Sequence, residues 1–142
     1  MLSRILANAV FLGLLALVPA VVWGLLTPKP VSWDPEVLKE GEVRLADVLQ
    51  SGEEILWIDA RSESDYNKEH IPGAILLNED RWEDLFMQFM MSGRWRPGVK
   101  IVVYCGSSGC QASHAVAERL SKKSGIPNVW VLKGGWEAWI NK

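Results

Sequence analysis

The sequence predicts an α/β protein in which helices flank a parallel β-sheet, preceded by one N-terminal transmembrane helix. Short apolar runs of strand length alternate with longer stretches whose apolar residues recur at helical spacing. This alternation favours a parallel sheet, because each crossover between parallel strands carries a helix across one face. Residues 5–26 carry no charged side chain. As a helix they would reach roughly 33 Å, enough to cross a bilayer.

Residues 1–27 are predicted to form an uncleaved membrane anchor, with a cleaved signal peptide as the alternative. Residues 18–20 (VPA) could serve as a cleavage site, but cleavage there would leave the apolar sequence VVWGLL at the new N-terminus. The anchor predicts a single-pass membrane protein whose soluble domain lies on the extracytoplasmic, periplasmic side. Residues 28–42, rich in proline and charge, are predicted to be a linker between the anchor and a single domain over 43–142.

The first half of this domain begins with a short strand or turn that leads into a small helix stopped by Gly52. Residues 54–59 (EILWID) form an apolar run that has the length of a buried parallel strand. Residues 60–70 are polar and predict one short helix. Residues 71–77 (IPGAILL) predict a turn followed by a second buried strand.

Residues 79–91 predict a helix with an acidic start. Its apolar residues recur at helical spacing, which is typical of a face that packs in a core. They are Trp82, Leu85, Phe86, Phe89 and Met90.

The rest of the chain continues the alternation. Residues 99–105 (VKIVVYC) predict the third strand, and residues 111–125 predict a helix that ends at a glycine. Residues 128–132 (NVWVL) predict a fourth strand, and residues 134–142 a short closing helix.

Composition excludes some classes of function. The formal net charge is −2, with 15 basic and 17 acidic residues, so no nucleic-acid surface is expected. Two cysteines and two distant histidines do not make a zinc site, and neither a metal nor an organic cofactor is expected. The eight tryptophans are predicted to pack in and around the core rather than to form a binding face.

The predicted strands end in polar residues. In parallel sheets, ligands bind beyond the carboxyl ends of the strands. Those ends carry Asp59 and Arg61, Cys105, and Lys133 with the two glycines that follow it. The glycine pair would permit a close approach of two backbones.

Cys105 has the position of a nucleophile. The helix that follows it would favour the thiolate over the thiol. The intervening Gly106, Ser107, Ser108 and Gly109 could turn their backbone N–H groups inward and cradle an anion. The alternative is a small buried side chain that happens to end a strand.

Three segments in order resemble the motifs of rhodanese-like domains. IDARSESDYNKEHIPGAILL (58–77) resembles their Asp-x-Arg and His-Ile-Pro-Gly-Ala segment, IVVYC (101–105) their active-site segment, and VWVLKGGWEAW (129–139) their closing segment. The resemblance covers residues 43–142. It implies a five-stranded parallel sheet flanked by helices, with Cys105 taking up a sulfane sulfur as a persulfide.

The sequence departs from the family pattern in the loop after Cys105. The frequent loop arginine is missing, and Cys110, Gln111 and Ala112 stand where it would be expected. Without it, phosphatase activity is not expected, and thiosulfate turnover becomes doubtful. Arg61 or Lys133 could supply the cation instead.

Cys110 opens a second function. Outside the cytoplasm two nearby thiols tend to oxidise, so Cys110 could be the resolving thiol for Cys105 in thiol–disulfide exchange or in a persulfide relay. A static disulfide and a free, packed Cys110 are the alternatives.

We therefore expect a sulfurtransferase that takes sulfur from a small sulfur-containing anion or a persulfide donor and passes it to a thiol acceptor. A thiol–disulfide redox protein, with a membrane redox partner, is the first alternative. A catalytically silent module that binds a membrane protein is the second. Asp59 and Ser113 are expected to organise the site, Ser113 as a helix cap. His114 could exchange protons there or simply be solvated.

Overall fold

The computed structural model describes residues 37–107 and 111–142. The predicted anchor, most of the predicted linker, and the loop residues Ser108, Gly109 and Cys110 therefore lie outside the described residues. Within the part of the chain that is described, no helix is both long and apolar enough to cross a membrane.

Five strands of the described chain form one parallel sheet in the order β1-β5-β4-β2-β3. Their bounds are β1 (Glu42–Val43), β2 (Ile55–Asp59), β3 (Ile75–Leu76), β4 (Lys100–Tyr104) and β5 (Val129–Leu132). The predicted parallel α/β architecture is confirmed, and β1 includes Glu42, which was expected to end the linker.

A helix follows each strand, as the alternating pattern predicted. Their bounds are α1 (Leu45–Gln50), α2 (Glu63–Lys68), α3 (Trp82–Met91), α4 (Ala112–Glu118) and α5 (Gly135–Ile140). A π-helical turn, Arg119–Lys123, extends α4.

The strands β2 and β4 are buried on both faces, because their side chains alternate between two apolar clusters. Residues such as Ile58 and Val103 face one cluster, which contains the apolar residues of α3 and α4. Trp57 and Val102 face the other, which contains residues of α1, α2 and α5. The helices therefore cover both faces of the sheet.

Two details differ from the predictions. Met90, expected in the core stripe of α3, is 45% exposed, whereas Trp82, Leu85 and Phe89 are buried. The strand after residue 74 contains only Ile75 and Leu76, both half-buried, because β3 lies at the edge of the sheet. The described tryptophans pack in or against the two clusters, as expected.

The topology brings three strand ends together. β4 lies in the centre of the sheet, between β5 and β2. Asp59, the last residue of β2, is the register partner of Tyr104, the last residue of β4. Cys105 therefore leaves the sheet between the end that carries Asp59 and the end that carries Lys133.

Leu120→Ala should lower the free energy of unfolding by about 2–5 kcal/mol, because Leu120 is fully buried and the deletion leaves a cavity. Met91→Ala is the matched control. Met91 is 80% exposed, so its loss should change stability by no more than about 0.5 kcal/mol. Urea unfolding followed by tryptophan fluorescence measures both, and equal effects would contradict this account of the core.

Candidate active site

Cys105 lies directly after the central strand, and its side chain is almost completely buried. The Ser113 hydroxyl donates a hydrogen bond to its Sγ at 3.3 Å. Sγ also lies 3.5 Å from the carbonyl oxygen of Ser107. The sulfur therefore sits between the start of the loop and the first turn of α4.

Cys105 is disulfide-bonded in the structure. The chain has one other cysteine, Cys110, which lies outside the described residues. The structure thus presents the nucleophile candidate in an oxidised state.

The backbone of Cys105 is held by the start of α5. The Trp136 N–H donates to the Cys105 carbonyl oxygen at 2.6 Å, and the Glu137 N–H donates to the Gly106 carbonyl oxygen at 3.2 Å. Gly135 makes this approach possible, since a Cβ atom there would overlap the Cys105 carbonyl group. The expected close approach at the glycine pair is therefore present, and it positions Cys105.

Asp59 and Arg61 form a buried ion pair at the end of β2. The Asp59 side chain is 0% exposed and that of Arg61 is 10% exposed. Arg61 donates to the carboxylate from its backbone N–H, its Nε and its Nη2, and Nη2 also donates to the Glu69 carbonyl oxygen. Arg61 therefore neutralises the Asp59 carboxylate at the end of β2.

Tyr104 extends this pair across to β4. Its hydroxyl donates to Asp59 at 2.7 Å and accepts the Ile71 N–H at 3.1 Å. Burial is the main reason that the pKa of Tyr104 is raised, and the neighbouring Asp59 carboxylate raises it further. The guanidinium of Arg61 also lies over the rings of Tyr104 and Trp136.

Lys133 lies in a second charged group, around Glu42. Lys133 Nζ is 3.4 Å from Glu42 Oε2, and His114 Nε2 is 3.4 Å from Glu42 Oε1. The Lys39 N–H also donates to Glu42. The Glu42 side chain is only 3% exposed, whereas that of His114 is 41% exposed. His114 is therefore only partly exposed, and it lies beside a buried carboxylate.

Burial opposes ionisation of Glu42, but the hydrogen bond from Lys39 and the charge of Lys133 outweigh it. The pKa of Glu42 is consequently lowered from its ordinary value of 4.5.

The structure brings some of the predicted site residues together and leaves others in separate groups. Cys105 contacts Ser113 and Ser107. The prediction that Ser113 caps this helix is wrong, because Ser113 lies in the first turn of α4 and the N-cap position is occupied by Gln111. Arg61 and Lys133, expected as candidate cations for a bound anion, are each paired with a buried carboxylate.

Sequence reasoning missed Glu42 and Tyr104. Nothing in the pattern distinguishes Glu42 from the exposed Glu40 beside it. Tyr104 could have been found, because a tyrosine that ends a buried aliphatic strand needs a partner for its hydroxyl.

Comparisons with known proteins agree with this geometry. The family model for the rhodanese-like domain matches residues 43–142. No curated protein matches the chain.

Solved structures that are similar to the chain include the following three. A rhodanese-related protein from Thermoplasma volcanium is 20% identical over 70% of this chain and 90% of its own, with a TM-score of 0.55. A protein from Bacillus halodurans is 28% identical over 70% and 71%, with a TM-score of 0.54. A rhodanese-like domain from Anabaena is 29% identical over 72% and 75%, with a TM-score of 0.53.

Gly135→Ala should greatly reduce the reactivity of Cys105 toward a thiol reagent, measured after reduction, because the new Cβ would displace the Cys105 backbone. Gly52→Ala is the matched control. Gly52 has a similar positive φ, 66° against 54°, but nothing lies within 4 Å of its Cβ position. Equal Cys105 reactivity in the two variants would contradict the positioning role of Gly135.

In acid, the free energy of unfolding of Glu42→Gln should change less with pH than that of the parent protein. Because the pKa of Glu42 is lower in the folded protein than its ordinary 4.5, its contribution is fully present above that value and is lost as the pH falls below it. The variant should therefore be less stable than the parent at neutral pH, by about 1–3 kcal/mol, since charged hydrogen bonds are lost. The difference should shrink in acid. Urea unfolding across this pH range measures it, with the exposed Glu40→Gln as control, and a difference that does not change with pH would contradict this prediction.

Proposed function

Because this chain belongs to the rhodanese-like domain family, we propose that it is a sulfurtransferase that carries a sulfane sulfur on Cys105 as a persulfide. One observation carries the proposal. Cys105 leaves the centre of a parallel sheet at its carboxyl end, where ligands of such sheets bind, with its sulfur held against the first turn of a helix.

The reaction requires Cys105 as a thiolate. The thiolate attacks the outer, sulfane sulfur of the donor, and the bond from that sulfur to the rest of the donor breaks, with the electron pair leaving on the donor. A thiol acceptor then attacks the outer sulfur of the Cys105 persulfide and restores the thiolate. No net oxidation takes place.

The surroundings of the sulfur support this chemistry. The Ser113 hydroxyl donates to Sγ, and a donated hydrogen bond favours the thiolate over the thiol. The dipole at the start of α4 acts in the same direction. The hydrogen bonds from α5 to the carbonyl groups of Cys105 and Gly106 hold the nucleophile in place. Gly106, Ser107, Ser108 and Gly109 are proposed to contact the transferred sulfur.

Thiol–disulfide exchange is the second candidate function, and the disulfide at Cys105 favours it. In that function Cys110 would be the resolving thiol. A first thiol of the partner protein would attack the disulfide and form a mixed disulfide, releasing one cysteine as a thiol. A second thiol of the partner would then attack the mixed disulfide, so that both cysteines of this chain become thiols and the partner leaves with a disulfide.

The N-terminal residues suggest where the protein acts. We propose that residues 1–27 anchor it in a membrane as a single pass, because residues 5–26 are free of charge. We also propose that the domain works on the extracytoplasmic side, because a disulfide at Cys105 is typical of an oxidising compartment. The thiol acceptor, or a redox partner, would then belong to the same membrane or compartment.

Cys105→Ser should abolish sulfur loading. The reduced parent, treated with a sulfane sulfur donor, should gain the mass of one sulfur atom, and cyanide should remove that sulfur as thiocyanate. Intact mass spectrometry measures both steps. A Cys105→Ser protein that still gains a cyanide-labile sulfur would contradict the proposal.

Cys110→Ser separates the two candidate functions. Sulfur transfer through Cys105 alone should survive this change, whereas thiol–disulfide exchange should be lost with either cysteine. If the biological function of the protein persists when both Cys105 and Cys110 are replaced by serine, a catalytically silent binding module would be favoured instead.

A further inference from the structure

The loop after Cys105 contains no cationic side chain. Residues 106–113 read GSSGCQAS, without lysine, arginine or histidine. A doubly charged anion that binds against Cys105 must therefore find its opposite charges elsewhere, from the ends of the neighbouring strands or from helix termini.

Arg61, at the end of β2, is already neutralised. Its guanidinium makes a bidentate pair with a carboxylate that is fully buried, and it gives a further hydrogen bond to the Glu69 carbonyl oxygen. Moving it onto a substrate would leave Asp59 charged in the interior, which is strongly unfavourable.

Lys133, after β5, is neutralised in the same way. It pairs with Glu42, whose side chain is almost completely buried and also contacts His114. Arg61 and Lys133, which follow the two strands beside β4, are thus each paired with a buried carboxylate of the protein itself.

The first N–H groups of α5 are also already hydrogen-bonded within the protein. A helix N-terminus can bind an anion through its N–H groups. Here the N–H groups of Trp136 and Glu137 donate to the carbonyl oxygens of Cys105 and Gly106 instead. Glu137 adds an acidic side chain to that same first turn.

We infer that the sulfur donor for Cys105 is an organic hydropersulfide, R–S–SH, and not the thiosulfate dianion. This inference rests on the function proposed above. A hydropersulfide carries at most one negative charge on its sulfane sulfur, and the other sulfur bears a neutral organic group. The hydroxyl of Ser113, which contacts Cys105 Sγ, can meet that single charge. The sulfonate end of thiosulfate, by contrast, would need a cation, and Arg61 and Lys133 are both paired with carboxylates of the protein.

The transfer step balances without another reactant. The Cys105 thiolate attacks the terminal sulfur of R–S–SH, the S–S bond breaks, and R–S⁻ leaves with the bonding electron pair. It takes up the proton of the transferred sulfur, so the products are R–SH and the Cys105 persulfide anion. With thiosulfate the leaving group would be sulfite, a dianion that must form beside the same paired charges.

The test compares donors on the full-length, reduced chain at equal concentration. The donors are cysteine hydropersulfide, a persulfidated peptide and thiosulfate, and loading of one cyanide-labile sulfur is followed by intact mass. We expect loading by a hydropersulfide to be roughly tenfold to a hundredfold faster than by thiosulfate, the effect of one missing charge-assisted hydrogen bond. Faster loading by cysteine hydropersulfide would indicate a small-molecule donor, and faster loading by the persulfidated peptide would indicate a protein-borne donor.

A charge variant tests the reason for the preference. Gln111→Arg places a cation at the N-cap of α4, beside the loop. It should raise the rate of loading by thiosulfate and leave loading by cysteine hydropersulfide within about twofold. Gln111→Met, which is similar in length and uncharged, is the matched control and should raise neither rate.

The outcomes separate the two proposals. Loading by a hydropersulfide with slow loading by thiosulfate supports the inference, and a selective gain for thiosulfate in Gln111→Arg supports its electrostatic cause. Thiosulfate loading as fast as hydropersulfide loading overturns the inference and leaves the sulfurtransferase proposal standing. Loading by none of the three donors overturns the sulfurtransferase proposal itself.

Discussion

The buried ion pair between Asp59 and Arg61 is the interaction on which this end of the molecule depends. A carboxylate without access to water must be paired and hydrogen-bonded. Asp59 meets this need with Arg61 and with the hydroxyl of Tyr104, which ties the ends of β2 and β4 together. The same hydroxyl accepts the Ile71 N–H, and Arg61 reaches the Glu69 carbonyl oxygen, so the connection before β3 is held as well.

The network of Asp59, Arg61 and Tyr104 also positions Cys105. This cysteine follows Tyr104 directly, and Trp136, which lies under the guanidinium of Arg61, donates its N–H to the Cys105 carbonyl oxygen. The groups that hold the backbone of the nucleophile are therefore the same groups that would otherwise bind an anion. A site built in this way positions a thiol firmly and offers little positive charge to a substrate, which is the physical basis for expecting a hydropersulfide donor.

Much of the fold could be predicted because its signals are local. Apolar runs such as residues 54–59 and 99–105 have strand length, and the glycine pair after Lys133 indicates a close backbone approach from sequence alone. The errors also have physical causes. β3 is short and half-buried because it lies at the sheet edge, and Met90 is exposed because the buried face of α3 contains fewer residues than the apolar positions of its sequence suggest.

By itself the sequence determined the alternation of strands and helices, the placement of Cys105 at a strand end, and the lack of a cation in the loop that follows. Only the tertiary structure decided which charges remain for a ligand. Arg61 meets its carboxylate two residues away, but Lys133 meets Glu42 across the β1–β5 pair, from the other end of the domain sequence. Such pairings depend on burial and on strand order, and neither can be read from the residues around a single position.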